Sequence, residues 1–561
     1  MRKPILFILS FVFLILSGTP LLAQPSAVKK AGQSVFTLTP FTADGSIHGS
    51  SYGVFVGSNG EGIAMWHPFD GAERAVIVDA KGKKHDVDVM LGVSELYDIC
   101  QFRIKDKTSI GLPMASSDAA ATTTYLVGYN LKKPSIKKLK PQSTEKFMTT
   151  NNYYLFNDVD ISNTDLGSPL LNEQGELLGI VQRHKNGGQA YSADARLINT
   201  FKLTGLSIND PSMRATGIRP ALPTDEQQAL LMLMVAGQQT DSTRYEAYID
   251  DFIYQFPTST DGYKTRAARY VLQGNLDMAD KTFEQEVKKA DQKDVAYHDY
   301  AQAMYRAVAY KRDTTYTKWS YQKALKLAQE ADKINPQPVY KHLQAKIIFA
   351  QGNYQEALEM FTELQKTDLG KNGEVFYEAA QCKAQLKMPS EEIIALLDSA
   401  ATVQDGPAAA PYILARGRYY DNAGEYRKAF ADYLAYDTLI NNRGTHDFYY
   451  AKFLCEKKIR QYQLALNDIA HAIILNRTEP TYYAEMANLQ LQVRQIEDAI
   501  KTCDMGLQVT KEYPDLYIIK GIAQCENEDK ENGLSTLRQA HELGDPRAQG
   551  LIEKYSKQQG K

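Results

Sequence analysis

From about Ser34 to Asn199 the apolar residues come in short runs of four to seven, rich in Val, Ile and Tyr. Ser51–Val56, Arg74–Asp79, Asp86–Leu91, Ile99–Ile104 and Thr124–Tyr129 are such runs. The glycine-bearing stretch 57–62, Lys81-Gly82-Lys83 and Asn172-Glu173-Gln174-Gly175 separate them as turns. Many short strands spaced by turn signals predict an all-β barrel or sandwich. After Gly205 the texture changes. Asn209-Asp210-Pro211 and the stretch from Arg219-Pro220 to Pro223 read as a linker over 208–223, and from Thr224 the apolar period is helical.

The helical half repeats. Gly352-Asn353-Tyr354-Gln355-Glu356-Ala357-Leu358 recurs as Gly424-Glu425-Tyr426-Arg427-Lys428-Ala429-Phe430. Further copies are Arg460-Gln461-Tyr462-Gln463-Leu464-Ala465-Leu466 and Arg494-Gln495-Ile496-Glu497-Asp498-Ala499-Ile500, with an earlier one at Gly274-Asn275-Leu276-Asp277-Met278-Ala279. The marker residues step by 465−429=36, 499−465=34 and 533−499=34, and the gap of 72 between Ala357 and Ala429 leaves room for a divergent copy around Ile393. A period near 34 with helix-turn-helix texture is the tetratricopeptide signature. The small residue is needed where two helices of a hairpin cross closely. Pro336, Pro480 and Pro514 fall between copies, where one helix stops and the next begins. Seven to eight helix pairs are expected over 224–561, stacked as an all-α solenoid whose groove holds a peptide or a partner's helix. Tyr412, Tyr419, Tyr420, Tyr449, Tyr450, Tyr482 and Tyr483 are expected mainly as packing between helices.

The chain's start carries a different pattern. Arg2 and Lys3 precede an apolar run from Ile5 to Leu16, and Leu22-Ala23-Gln24 follows. This is the layout of a secretory signal peptide over 1–23, too short for a membrane span. An exported protein, periplasmic or at the cell surface, is expected, with no membrane span after cleavage. Lys+Arg 64 against Asp+Glu 67 gives a formal charge of −3, or 62 against 67 without Arg2 and Lys3. That balance argues against a nucleic-acid partner and leaves proteins as the expected ones. The five cysteines Cys100, Cys382, Cys455, Cys503 and Cys525 are scattered and read as small buried residues. His48, His85 and His184 are not spaced as metal ligands, and no H-E-x-x-H, P-loop or Rossmann pattern occurs. No metal or other cofactor is therefore expected.

Three stretches of the β half, within an expected domain over 24–207, stand out together. The first runs from Gly49 through Gly53-Val54-Phe55-Val56 and Gly62-Ile63-Ala64-Met65-Trp66 to His67. The second is Tyr97-Asp98-Ile99-Cys100-Gln101-Phe102-Arg103-Ile104, and the third Ile161-Ser162-Asn163-Thr164-Asp165-Leu166-Gly167-Ser168-Pro169-Leu170-Leu171-Asn172, followed by Gly175 to Ile180. In order and content they resemble the trypsin-like (chymotrypsin-fold) serine proteases of the bacterial envelope type. The resemblance implies an all-β double barrel in which His67 and Asp98 are the triad's base and orienting acid. It places the nucleophile at Leu166, and the loop that would form an oxyanion hole at Thr164, Asp165 and Gly167.

Leucine has no oxygen to attack a carbonyl, and Thr164 stands where the family carries a glycine. Ser168 and Ser162 lie near the turn, and Cys100 follows the Asp98 strand. Ser168 is expected to be a structural loop residue, Ser162 needs a register shift, and Cys100 is expected to face the core. His67 and Asp98 are expected to persist as a hydrogen-bonded pair that stabilises the barrel interface. Three functions follow: a protein-binding scaffold built on an inactive protease domain, an active endopeptidase with an unorthodox nucleophile fed by the repeats, or a purely structural protein.

Overall fold

The computed structural model describes residues 24–557 except 107–110, 117–122, 131–132, 148–150, 158, 160, 184–188, 312 and 314. The expected signal peptide and His184 lie outside the described residues. The chain divides into two compact units, Met1–Asp291 and Gln292–Lys561.

After a short helix, Ser26–Ala31, the first unit has six antiparallel strands: β1 (Val35–Phe41), β2 (Ser51–Val56), β3 (Glu61–Ala64), β4 (Arg74–Val78), β5 (Lys84–Ser94) and β6 (Ile99–Ile104). They close into a barrel in the order β1-β2-β3-β6-β5-β4. The expected run Asp86–Leu91 is the middle of the eleven-residue β5, whose register against β6 shifts at two places and lets one strand bend round the barrel. Seven more strands follow: β7 (Thr124–Asn130), β8 (Lys133–Leu139), β9 (Ser143–Phe147), β10 (Asn151–Asn157), β11 (Pro169–Leu171), β12 (Leu177–Arg183) and β13 (Gln189–Asp194). They form one antiparallel sheet, β8-β7-β11-β12-β13-β10-β9. Alternation along the strands decides which side chains meet. Phe36, Phe55 and Phe102 fill the closed barrel, with the Phe36 and Phe55 ring centroids 4.8 Å apart. Val35, Val54, Ile63 and Ile99 meet Val127, Leu171, Leu177 and Ile180 in a second core shared by barrel and sheet.

Residues 208–223, expected as a linker, are instead part of the packed first unit. Asp210 caps a short helix, Pro211–Arg214, by accepting from the Ser212 backbone N–H. Met90 N–H donates to the Arg219 carbonyl (3.0 Å) and Ala221 N–H to the Met90 carbonyl (2.9 Å). Met213 and Ile218 enter the barrel core, while Ile208 and Leu222 join the helices that follow. Proline and asparagine mark turns, and a turn can be a packed one.

Two helix pairs complete this unit, Glu226–Gln239 with Ser242–Gln255 and Thr260–Leu272 with Leu276–Lys289. The second unit holds seven more pairs. They are Lys293–Ala309 with Tyr321–Ile334, Pro338–Ala350 with Tyr354–Leu364, Gly373–Gln385 with Ser390–Thr402, and Ala410–Asn422 with Tyr426–Leu439. His446–Lys458 with Tyr462–Leu475, Pro480–Gln492 with Ile496–Val509, and Pro514–Glu526 with Lys530–Glu542 follow, and Pro546–Lys557 ends the described chain. The described residues thus form nine pairs, not seven to eight. The pairs at 226–255 and 293–334 carry no copy of the recurring segment, and the connection within the latter is long. The divergent copy sits where expected, with Ile393 buried on Ser390–Thr402. Ala279, Ala357, Ala429, Ala465 and Ala499 are fully buried at helix crossings. The turn before each marker needs a left-handed residue: Gly274, Gly352 and Gly424 supply it, and Arg460 and Arg494 adopt it at φ +62° and +66°.

One ionic cluster is buried in the second unit. Lys452 Nζ lies 2.9 Å from Asp437 and 3.1 Å from Asp468, and the Tyr449 hydroxyl donates to Asp437. Glu456 beside them is 1% exposed. Burial, and then the charge of Asp468, push its carboxyl up to about 9. The folded chain therefore holds a proton on Glu456 that the unfolded chain releases above the ordinary carboxylate value. Stability contributed there is complete at low pH and is lost as pH rises toward about 9. Urea unfolding at pH 5 and pH 8 checks this: Glu456→Gln gains on the parent by up to about 1.4 kcal/mol per pH unit. Parallel pH profiles for the two proteins contradict it.

Candidate active site

His67 follows β3 and Asp98 precedes β6, and the antiparallel pairing of these two strands brings the residues together. The Asp98 carboxylate accepts twice from one residue: Oδ1 from the His67 backbone N–H at 2.7 Å, Oδ2 from the ring Nδ1 at 2.9 Å. An ionised carboxylate only accepts, so the proton sits on Nδ1 and Nε2 is left free to accept a proton. The His67 side chain is 64% exposed. The hydrogen bond to Asp98 raises its pKa above the ordinary value, against partial desolvation.

Asp98 holds an unfavourable backbone, φ +47°. Its N–H donates to the Glu95 carbonyl, and its own carbonyl accepts from the Trp66 N–H at 3.3 Å. The decisive support comes from the seven-stranded sheet. Gln182, buried on β12, donates through Nε2 to the Tyr97 carbonyl (2.8 Å) and the Asp98 carbonyl (2.7 Å). Tyr97 stacks on Tyr153, which meets Tyr191. Burial first, with a contribution from the charge of Asp98, pushes the phenols of Tyr153 and Tyr191 up and keeps them protonated.

The turn over 162–168 is held from the same strand. Gly167 N–H donates to the Val181 carbonyl (2.9 Å) and Val181 N–H to the Ser168 carbonyl (3.0 Å), one residue before Gln182. Ser162 caps the 3-10 turn Asn163–Asp165, and Asp165 Oδ2 accepts from the Ser162 N–H and hydroxyl. Lys137 Nζ also reaches that oxygen, at 2.7 Å. Burial opposes ionisation of Asp165, but Lys137 and Ser162 outweigh it and hold the carboxyl below its ordinary value. Thr164 is accommodated in the turn, its hydroxyl 2.7 Å from that of Ser162.

Leu166 is half-buried, extended at φ −63° and ψ 135°, and packs on both cores of the β half. Its carbonyl accepts from the Tyr52 N–H at 2.9 Å. Gly167 at φ +79° is required, because a Cβ there would lie 2.2 Å from the Tyr52 carbonyl oxygen. Ser168 is 0% exposed, and the Ser162 hydroxyl is committed to Asp165 and Thr164. Cys100 is fully buried, its thiol within 3.6 Å of the Ala64 and Met65 carbonyls and pushed well up by burial.

The profile of trypsin-like peptidase domains matches residues 51–180, which contain all of these groups except Gln182, Val181 and Tyr191. The barrel-and-sheet part of the chain is thus trypsin-like. Solved structures similar to it include a protease of M. tuberculosis in its active form, 15% identical, covering 34% of this chain and 90% of that one with a TM-score of 0.28. A serine endoprotease from Yersinia pestis is 18% identical over 34% of this chain and 65% of its own, TM-score 0.27. An HtrA-type protease, AlgW, with a bound tripeptide is 17% identical over 31% and 60%, TM-score 0.27. No curated protein matches the chain.

Within the trypsin-like domain the structure brings His67 and Asp98 into contact and sets Thr164, Asp165, Leu166 and Gly167 in one turn on β12. Gln182, Tyr153, Tyr191, Tyr52 and Lys137 had no signal in the chain order: each acts from a strand remote in sequence. Two outcomes are expected. Histidine NMR places the pKa of His67 above the ordinary value, and Asp98→Asn brings it down. The pair's contribution to stability, small at so exposed a ring, is full below the ordinary histidine value and fades as pH rises through the raised one. Gln182→Leu removes one donor each from the Tyr97 and Asp98 carbonyls and costs about 1–3 kcal/mol in urea unfolding.

Proposed function

We propose that this chain is an exported protein-binding scaffold: a catalytically inactive trypsin-like domain joined to tetratricopeptide repeats. The observation that carries the reading is the side chain at the turn's apex. Base and orienter are paired at 2.9 Å, yet residue 166 presents an isobutyl group packed on the core. His67 has no hydroxyl to deprotonate there, and loss of the nucleophile alone costs on the order of 10⁶-fold in a comparable triad. Ser168, Ser162 and Cys100 are poor substitutes because each is buried or already hydrogen-bonded. The cleft would then receive a polypeptide without cutting it.

The repeat reading rests on the spacing of 34 to 36 residues together with the fully buried marker alanines. Such helix pairs hold a peptide or protein partner. Export rests on the pattern of residues 1–23. Among the described residues no helix is long and apolar enough to cross a membrane.

A fluorophosphonate probe and an unfolded protein substrate test the inactive reading. The unmodified protein should neither label nor cleave, whereas Thr164→Gly/Leu166→Ser should gain labelling at residue 166. Labelling of the unmodified protein at any serine would favour an endopeptidase with an unorthodox nucleophile. A pull-down from envelope extract with the full chain should retain one specific protein, and an empty one argues for a spacer.

A further inference from the structure

The second unit carries a cluster of metal-ligating side chains far from the trypsin-like domain in sequence. His342 lies on Pro338–Ala350, and Glu374 and Glu378 lie on Gly373–Gln385, the first helices of two successive pairs. Spacing of four residues puts both carboxylates on one helix face. One ligand atom from each of the three residues lies within 4.8 Å of the other two. His342 Nε2 is already 2.5 Å from Glu378 Oε2, and both side chains are only 12% exposed. The imidazole ring is steadied by the edge-to-face Phe361, 6.0 Å away.

A fourth residue explains how two carboxylates stay together. Lys346 Nζ sits 2.9 Å from Glu374 Oε1 and 3.4 Å from Glu378 Oε1. The protein has thus gathered an imidazole and two carboxylates around a positive charge, with His342 and Glu378 largely withdrawn from water and Glu374 41% exposed. That donor set is the one zinc and its first-row neighbours take, with three protein ligands and a position left for water or a partner's side chain. Ligand atoms in a tetrahedral zinc site stand about 3.4 Å apart, given bonds near 2.1 Å. His342 Nε2 and Glu378 Oε2 now stand closer than that, at 2.5 Å, and no two of the three ligand atoms are more than 4.8 Å apart, so an entering ion must part the first pair.

We propose that His342, Glu374 and Glu378 bind a first-row divalent cation of the zinc type, and that the Lys346 ammonium holds the place until the ion displaces it. A doubly charged ion compensates both carboxylates at once, which one ammonium cannot. A network of ion pairs and nothing more is the competing account, and it predicts no saturable binding.

Zinc titration of the chelator-treated full chain by calorimetry, and cobalt absorption as a spectroscopic readout, separate the two. One Zn²⁺ per chain is expected. Glu374→Gln, at a half-exposed position that leaves the helix intact, and His342→Gln should each weaken binding at least tenfold and abolish the cobalt bands. Lys346→Met should tighten binding, and His541→Gln, on a solvent-exposed helix face, should change nothing. Circular dichroism confirms that each variant is folded. Absence of saturable binding, or binding that survives both Glu374→Gln and His342→Gln unchanged, overturns the proposal.

Discussion

The buried amide of Gln182 is the contact on which the site depends. Its two N–H bonds end on the carbonyls of Tyr97 and Asp98, which belong to the closed barrel, while Gln182 itself belongs to the seven-stranded sheet. With the Trp66 N–H on the same Asp98 carbonyl, this side chain braces Asp98 in its left-handed backbone and adds a polar tie to the core that barrel and sheet share. With the backbone held, the carboxylate can grip His67 at two atoms. The preceding residue, Val181, holds the turn that carries Leu166. A single strand therefore braces both Asp98 and the turn that carries Leu166.

The turn is held through its backbone by Val181 and Tyr52 and through its polar side chains by one another and Lys137. Ser162, Thr164, Asp165 and Lys137 satisfy one another, and Gly167 supplies the one conformation that lets the chain pass the Tyr52 carbonyl. None of these contacts uses the side chain at 166. Its geometry can persist when that position is apolar, and Leu166 is then retained by packing across two cores. The shape of the turn is thus independent of the side chain at 166.

The helical part depends on a different economy. Small residues let paired helices cross closely, and the polar groups that crossing buries must find partners inside. Lys452 with Asp437 and Asp468 is one answer, and the bidentate Arg416 with Asp432 is another. Glu456 answers by keeping its proton. The cluster of His342, Lys346, Glu374 and Glu378 is the member of this set whose donors also suit an ion.

The amino-acid order alone determined what is local or periodic. Strand-length apolar runs, helical repeats of 34 to 36, the divergent copy at Ile393 and the three stretches around His67, Asp98 and Leu166 were all legible, because neighbouring residues write those patterns. Tertiary structure decided what joins distant residues. It turned 208–223 from an apparent linker into packed chain, because prolines mark turns without saying what covers them. It revealed two helix pairs, at 226–255 and 293–334, that carry no copy of the recurring segment. It also placed Gln182 under Asp98, 84 residues away, and His342 beside Glu378, a full repeat away. Contacts made across strands and between helix pairs leave no mark on local spacing, and only the fold brings them together.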